Sequence, residues 1–280
     1  MKKEKRIIAD FLARNHDFDF SKFADPFLED ILRKRTAETS CDSVAAYADL
    51  LQHDVAEASV FLDFLQINYS EFFRNSLTFA VLENILLPQM TSVNPGERQK
   101  EIRIWSAACA SGQEAYSLAI LLEELKAGRS KTFNYRIFAT DQNEANIEEA
   151  RKGMYSGSAL NGLNLKRLNQ YFTRLDKVYQ VKQKLKDKIE FTTFDLFNGQ
   201  YSSPPSSIFG GFDIVICANL LFYYKPEFQD QIIQKVGKGM LDQGYLVTGE
   251  AERGILLKHN YHEVIPFSSI FQKNSRDEKF

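Results

Sequence analysis

Apolar residues recur at helical spacing from the start of the chain to about residue 90, and that spacing predicts helices throughout the stretch. Asp25-Pro26 has the form of a cap and a first helical position. It opens a helix through Phe27, Ile31 and Leu32 toward Arg33-Lys34-Arg35, a basic end that suits the helix dipole. Ser43 is placed to cap a second helix, with Tyr47, Leu50 and Leu51 on its inner face. Val60, Phe61, Phe64 and Leu65 mark a third, and residues 77–87 a fourth after Ser76. Residues 91–100 are polar, contain Pro95-Gly96, and read as a linker.

Beyond the linker, short apolar runs alternate with helical patterns. Ile102, Ile104 and Trp105 form the first run. A turn of small residues (106–112) follows, then a helix on which Ala115, Leu118, Ala119, Leu122 and Leu125 share a face and Gly128 is the stop. Residues 135–140 are a second strand ending at Asp141, with a short helix after it that stops near Gly153. Residues 188–194 are a third strand. Residues 212–217 are the most fully apolar and so the most central. Pro226 opens a helix with Phe228, Ile232, Val236 and Met240 on one face, residues 244–248 are a fifth strand, and the tail (262–272) suits a closing hairpin. Two stretches interrupt the alternation. Residues 156–187 carry an alternating run, 178–181, that reads as a small β excursion, and residues 199–211 read as a surface loop.

The expectation is an α/β fold with a doubly wound, mostly parallel sheet (residues 101–280), preceded by a small all-helical domain (residues 1–90) and joined to it by 91–100. In such a sheet ligands lie outside the carboxyl ends of the strands, with the first strand at the switch point.

Composition narrows the picture. With 44% hydrophobic and 26% charged residues the chain is an ordinary globular one, and a net charge of −2 gives no support to nucleic-acid binding. No apolar run approaches the ~20 residues of a membrane span, and charges interrupt the basic start where a secretory signal would need an apolar core. Cys41, Cys109 and Cys217 lie far apart, and His259 and His262 have no supporting ligand motif, so a reduced, cytoplasmic protein without a metal site is expected.

The strand-to-helix turn at 106–112 is the kind that lets a ligand approach the backbone at a helix N-terminus. One glycine stands where a dinucleotide fingerprint has three. Acidic residues follow three strands. Asp141 could accept both hydroxyls of a ribose or cap the next helix, Glu114 could meet a ligand ammonium or simply favour the helix dipole, and Asp195 could face an adenine amino group or cap a turn. Together they suit an adenosyl ligand with an amino-acid tail better than a dinucleotide.

At this point the residues resemble a family. WSAACASGQEAYSLA (105–119) is similar to the motif WSAGCSTGEEPYSIA of the CheR-type chemoreceptor methyltransferases. The likeness extends to INYSEFFR (67–74), FATD (138–141), the set Ala150, Gly153 and Tyr155, QYF (170–172), KIEFTTFDLF (188–197) and FDIVICANLLFYY (212–224). The resemblance implies a class I S-adenosylmethionine-dependent methyltransferase. Its reaction would be O-methylation of glutamate side chains on the cytoplasmic helices of a membrane chemoreceptor or similar signalling protein, with S-adenosylhomocysteine as product.

It also implies site roles. Asn68, Ser70 and Arg74 would line the cleft, with Arg74 orienting the acceptor carboxylate. Glu114 would hold the cofactor's amino end and Asp141 its ribose. Asp195, Leu196 and Asn219 would enclose the adenine side, and Tyr223 would sit beside the transferred methyl. Phe72 and Phe73 read as core. Three positions depart from the family pattern: Ala218 replaces an arginine, Asp195 an asparagine, and Gln113 an acidic residue. The segment between Phe172 and Ile189 is short and lacks glycine, which argues against recruitment through a receptor's C-terminal peptide. Ala218 keeps two other readings open: a cofactor-binding sensor or scaffold with little turnover, and a methyltransferase for a different substrate.

Overall fold

The computed structural model describes residues 2–66, 69–92, 101–128, 133–207 and 211–274. Its contacts divide the chain into two compact units, Met1–Ile67 with Leu220–Asp230, and Asn68–Asn219 with Gln231–Phe280. Of the linker read at 91–100, all but Thr91 and Ser92 lies outside the described residues, as do Asn68 and part of the loop at 199–211.

The first unit holds helices α1 (Lys2–His16), α2 (Asp25–Glu38), α3 (Val44–His53) and α4 (Val55–Leu65). Ser43 caps α3 by accepting the Ala46 amide at 3.1 Å, as its position predicts. Asp25 does not cap α2. It lies inside the first turn, Ala24 is the capping position, and the Asp25 carboxylate instead takes the Lys5 ammonium at 2.7 Å. Leu12, Leu32, Tyr47, Leu51, Phe61 and Leu65 close the core of this unit. Within it the Arg35 guanidinium donates through Nε to Glu57 at 2.9 Å and through Nη2 at 2.5 Å, and the Tyr47 hydroxyl donates to the same carboxylate at 2.7 Å. Residues 220–230 belong here because Tyr224 stacks on Phe23 (5.1 Å between ring centres) and the Ala24 amide donates to the Tyr223 carbonyl at 2.8 Å.

The second unit begins with α5 (Ser76–Val81), which continues through a π-helical turn (Leu82–Leu86) into α6 (Leu87–Met90). Strand β1 (Glu101–Ala107) leads to α7 (Gln113–Ala127), and β2 (Asn134–Asp141) to α8 (Glu144–Lys152). Then come β3 (Met154–Ser156), α9 (Leu165–Tyr171), β4 (Phe172–Leu175), β5 (Val178–Val181) and α10 (Gln183–Lys186). Strands β6 (Ile189–Thr193) and β7 (Phe212–Ile216) follow, and α11 (Pro226–Gly239) has its first turn in the other unit. The chain closes with β8 (Met240–Val247), α12 (Arg253–Leu256), β9 (Tyr261–Glu263) and β10 (Ile270–Lys273).

The main sheet has the order β6-β2-β1-β7-β8-β10-β9. Its first five strands pair in parallel and the β9–β10 hairpin antiparallel. The fully buried β7 is the middle strand, as its apolar run predicts. The direction of winding reverses between β1 and β7, which places the ligand crevice beyond their carboxyl ends. The excursion between β2 and β6 is a separate three-stranded sheet, β3-β5-β4.

Met240 does not extend the apolar face of α11. The helix ends at Gly239, and Met240 opens β8 opposite Phe212. The fifth strand therefore starts four residues earlier than its alternation suggests, with a register shift before Tyr245 pairs with Ile214. Gly244 permits that bulge, since a Cβ there would lie 2.5 Å from the Met240 side chain. Phe72 is core as expected, edge-on to Tyr155 and Phe172, while Phe73 is half-buried against the same cluster.

Candidate functional site

The turn between β1 and α7 is wound unusually tightly. Ala108, Ala110 and Gly112 all have left-handed backbone, with φ of 66°, 46° and 93°. For the two alanines this conformation is costly, so neighbours must hold it. The Cys109 amide donates to the Thr140 carbonyl at 2.8 Å, the Ala110 amide to Asp141 at 2.9 Å, and the Tyr155 hydroxyl to the Ser111 carbonyl at 2.6 Å. A Cβ on Gly112 would come within 2.9 Å of the Ala150 Cβ. A small residue at 112 is thus required by packing.

Glu114 sits in the first turn of α7 and accepts the Ser106 hydroxyl at 2.6 Å. Burial, and secondarily the Glu252 carboxylate, raise its pKa to about 7, while Ser106 and the Arg74 charge oppose the rise. A carboxylate poised in this way gains most from a cation placed beside it.

Asp141, at the end of β2, is buried, and burial raises its pKa against three donors. These are the Ala110 and Asn143 amides, each at 2.9 Å, and the Asn146 side chain at 3.3 Å. The cap of α8 is Asn143, which accepts the Ala145 amide, so Asp141 is not the cap. It ties the β1 turn to the β2 turn. Asp195, exposed after β6, accepts the Phe197 amide at 2.8 Å and shapes a short turn, with Leu196 buried next to it.

Asn219 follows β7 with left-handed backbone (φ 60°). Its amide donates to Glu252 at 2.8 Å, and its side-chain oxygen accepts from Asn75 at 3.3 Å. Glu252, fully buried, also takes the Gly249 amide at 2.7 Å. Sequence reasoning missed Glu252. The available signal was a glycine three residues ahead of a carboxylate just past an apolar strand, the spacing of a capping box. Ala218 is half-buried against the core cluster.

Arg74 lies between two residues with left-handed backbone, Phe73 (φ 55°) and Asn75 (φ 61°). Its guanidinium stands 5.1 Å from the Tyr69 ring centre and donates to the Tyr69 carbonyl at 3.3 Å. The Phe73 amide is anchored on the Ser117 hydroxyl at 3.0 Å, which fixes the segment to α7. Ser70 is half-buried. Tyr223 belongs to the helical unit, where its ring meets Phe27 edge-on at 4.7 Å. Within the second unit, then, Glu114, Asp141, Asp195 and Asn219 follow the carboxyl ends of β1, β2, β6 and β7, and Arg74 is near enough to act on the charge of Glu114. Among the described residues no group of three or more His, Cys, Asp or Glu side chains could hold a metal, and no helix is long and apolar enough to cross a membrane.

Comparison with known proteins bears on this arrangement. The chain is 28% identical over 257 residues to an uncharacterized 104.1 kDa protein of Rhodobacter capsulatus, covering 91% of this chain and 26% of that one. It spans about a quarter of that relative's length. It is 32% identical over 203 residues to the chemotaxis protein methyltransferase of Listeria innocua, covering 72% of each. It is 33% identical over 208 residues to chemotaxis protein methyltransferase 1 of Pseudomonas aeruginosa, again covering 72% of each. Residues 68–268 match the family described as "CheR methyltransferase, SAM binding domain", which makes S-adenosylmethionine the cofactor of this segment. Since that match covers well over half of the chain and includes the carboxyl ends of β1, β2, β6 and β7, the chain belongs to the CheR methyltransferase family.

Proposed function

We propose that the chain methylates glutamate side chains on the cytoplasmic signalling helices of a chemoreceptor or similar membrane protein, and that it works in the cytoplasm. The observation that carries this reading is the set Glu114, Asp141, Asp195 and Asn219 after four neighbouring parallel strands, with Arg74 beside it. The donor set fits the cofactor. Glu114 suits its ammonium, Asp141 its ribose hydroxyls, and Asp195, Leu196 and Asn219 its adenine side, while the turn at 108–112 carries only small side chains. Ser70 lines the cleft in this reading, and Asn68, given the same role by the resemblance, lies outside the described residues. In this reading the catalytic segment is the unit that begins at Asn68, so α5 and α6, expected in a helical domain of residues 1–90 ahead of the connection at 91–100, go with the sheet of residues 101–280.

When bound, S-adenosylmethionine supplies an electrophilic sulfonium methyl and leaves as S-adenosylhomocysteine. A glutamate acceptor, with an ordinary pKa of about 4.3, is already ionised at neutral pH, so no general base is needed. The protein's task is positioning. Arg74 holds the acceptor carboxylate. The turn between β4 and β5 is only Asp176-Lys177, without glycine, so a receptor tether is not part of the proposal.

The test is incubation with labelled cofactor and the cytoplasmic fragment of a chemoreceptor, followed by release of base-labile methanol. Labelled carboxyl ester is expected. Cofactor binding with no transfer to any receptor fragment would overturn the reading. One observation favours the second reading, a cofactor-binding sensor: Ala218 puts a methyl group where the family pattern has a guanidinium able to grip a carboxylate. If the sensor reading holds, Ala218→Arg creates transfer where wild type has none.

A further inference from the structure

The turn between β9 and β10 holds a large aromatic side chain in water. Phe267 is 65% exposed, and its backbone is left-handed, with φ of 64°. A bulky residue in that conformation is a true outlier, and the surroundings enforce it. The Glu263 carboxylate accepts the Phe267 amide at 3.2 Å and the Ser269 amide at 2.8 Å. The Arg253 guanidinium grips the same carboxylate bidentately, at 2.8 and 2.6 Å, and lies 4.7 Å from the Phe267 ring centre. Ser268, fully buried, locks the turn from below by donating to the Ile265 carbonyl at 2.7 Å. An exposed ring on a rigid, strained support is the arrangement of a contact residue, since strain of this kind persists where structure is built for a ligand.

Its place in the fold gives the ligand. Ile270 pairs with Val247 at the carboxyl end of β8, and the Thr248 amide donates to the Ser269 carbonyl at 3.0 Å. The next residue, Gly249, shares the Glu252 carboxylate with Asn219. The turn therefore stands on the same edge of the sheet as the proposed site. Leu257, whose amide donates to the Arg253 carbonyl at 3.1 Å, is 54% exposed and adds a second exposed apolar side chain at the end of α12. The Arg253 guanidinium is held by Glu263, so what the Phe267 ring itself offers is apolar contact.

We infer that Phe267 is a specificity-determining residue that packs on the apolar face of the amphipathic helix carrying the acceptor carboxylate. The inference rests on the proposed function for the identity of that helix. An apolar anchor gripping one helix face fixes which turn of the acceptor reaches the site.

The test uses the full chain and a chemoreceptor cytoplasmic fragment, with Phe267→Gly, Phe267→Ala and Phe267→Leu. Glycine accepts the left-handed backbone, so Phe267→Gly removes the ring while relieving the strain. The expected result for Phe267→Gly and Phe267→Ala is a rise in KM for the fragment of about ten-fold, the scale of an aromatic anchor. Rate at saturating fragment and affinity for S-adenosylhomocysteine are unchanged, the effect does not depend on salt, and Phe267→Leu recovers part of it. A purely structural residue would change the melting temperature and leave KM alone, and that result overturns the inference. So does a shift in self-association, measured by sedimentation, with acceptor binding intact. If wild type transfers no methyl, the proposed function has failed, and direct binding of the fragment without cofactor still decides the role of Phe267.

Discussion

Glu114 sets the pH response of the cofactor site. In the free protein its pKa is about 7, raised chiefly by burial, and a bound ammonium would favour its ionised form. Cofactor affinity should therefore weaken as pH falls below about 7, with a proton released on binding near neutrality. Above about 8 the ligand's α-amino group starts to lose its charge, so affinity peaks between these limits. Calorimetry in buffers of different ionisation enthalpy reads the proton directly, and Glu114→Gln should abolish the acid limb. The same shift has a stability sign. A carboxyl whose pKa rises from 4.5 to about 7 on folding contributes stability that is complete below 4.5 and lost as pH climbs through 7. Arg74→Ala makes the complementary prediction. Cofactor affinity should stay nearly intact while methyl transfer falls by at least ~100-fold, because misplacing a reactant by about 1 Å costs that much. Single-turnover assays beside equilibrium binding check it. The placement of Glu114 and Asp141 was legible in the sequence because they stand at fixed offsets from strand ends. Glu252 was not, since its two amide partners are separated along the chain and meet only when β7 and β8 pair.

Among the elements, the segment carrying Arg74 depends on a glycine that local pattern cannot flag. A Cβ on Gly162 would fall 1.9 Å from the Phe72 carbonyl oxygen, a backbone atom that cannot step aside without moving its segment. Gly162→Ala should cost more than the ~1–3 kcal/mol usual for overpacking, and it should lower transfer along with stability. Thermal melts and activity measured on the same sample would show both losses, and a silent substitution would mean that 69–75 is free to shift. The two residues are ninety positions apart, so only the tertiary structure brings them together. The other misreadings share that origin. Met240 fits the helical spacing of α11, yet pairing with Phe212 draws it into β8, and Asp25 looks like a cap until Lys5 claims its carboxylate. Where local signals acted alone, as for Ser43 and for the apolar run of β7, the sequence reading matched the structure.

At the scale of the molecule, the helical unit is keyed by one buried polar cluster. Arg35 of α2, Tyr47 of α3 and Glu57 of α4 join three helices through a single carboxylate. Glu57→Ala would strand a guanidinium in the core, and breaking a buried pair from one side typically costs about 3–5 kcal/mol. Denaturation followed by a probe in the helical unit should show that loss, while S-adenosylhomocysteine binding to the folded protein persists. The membership of that unit has a consequence in time. Its last strip, residues 220–230, is encoded about 150 residues after its four helices. At roughly 5–20 residues per second, a ribosome takes on the order of ten to thirty seconds to deliver it. Throughout that interval Phe23 has no Tyr224 to stack on, and the Ala24 amide has no Tyr223 carbonyl. The four helices, made before the sheet, are among the last elements to be finished, and their aromatic seam is the surface a chaperone would find open on the nascent chain.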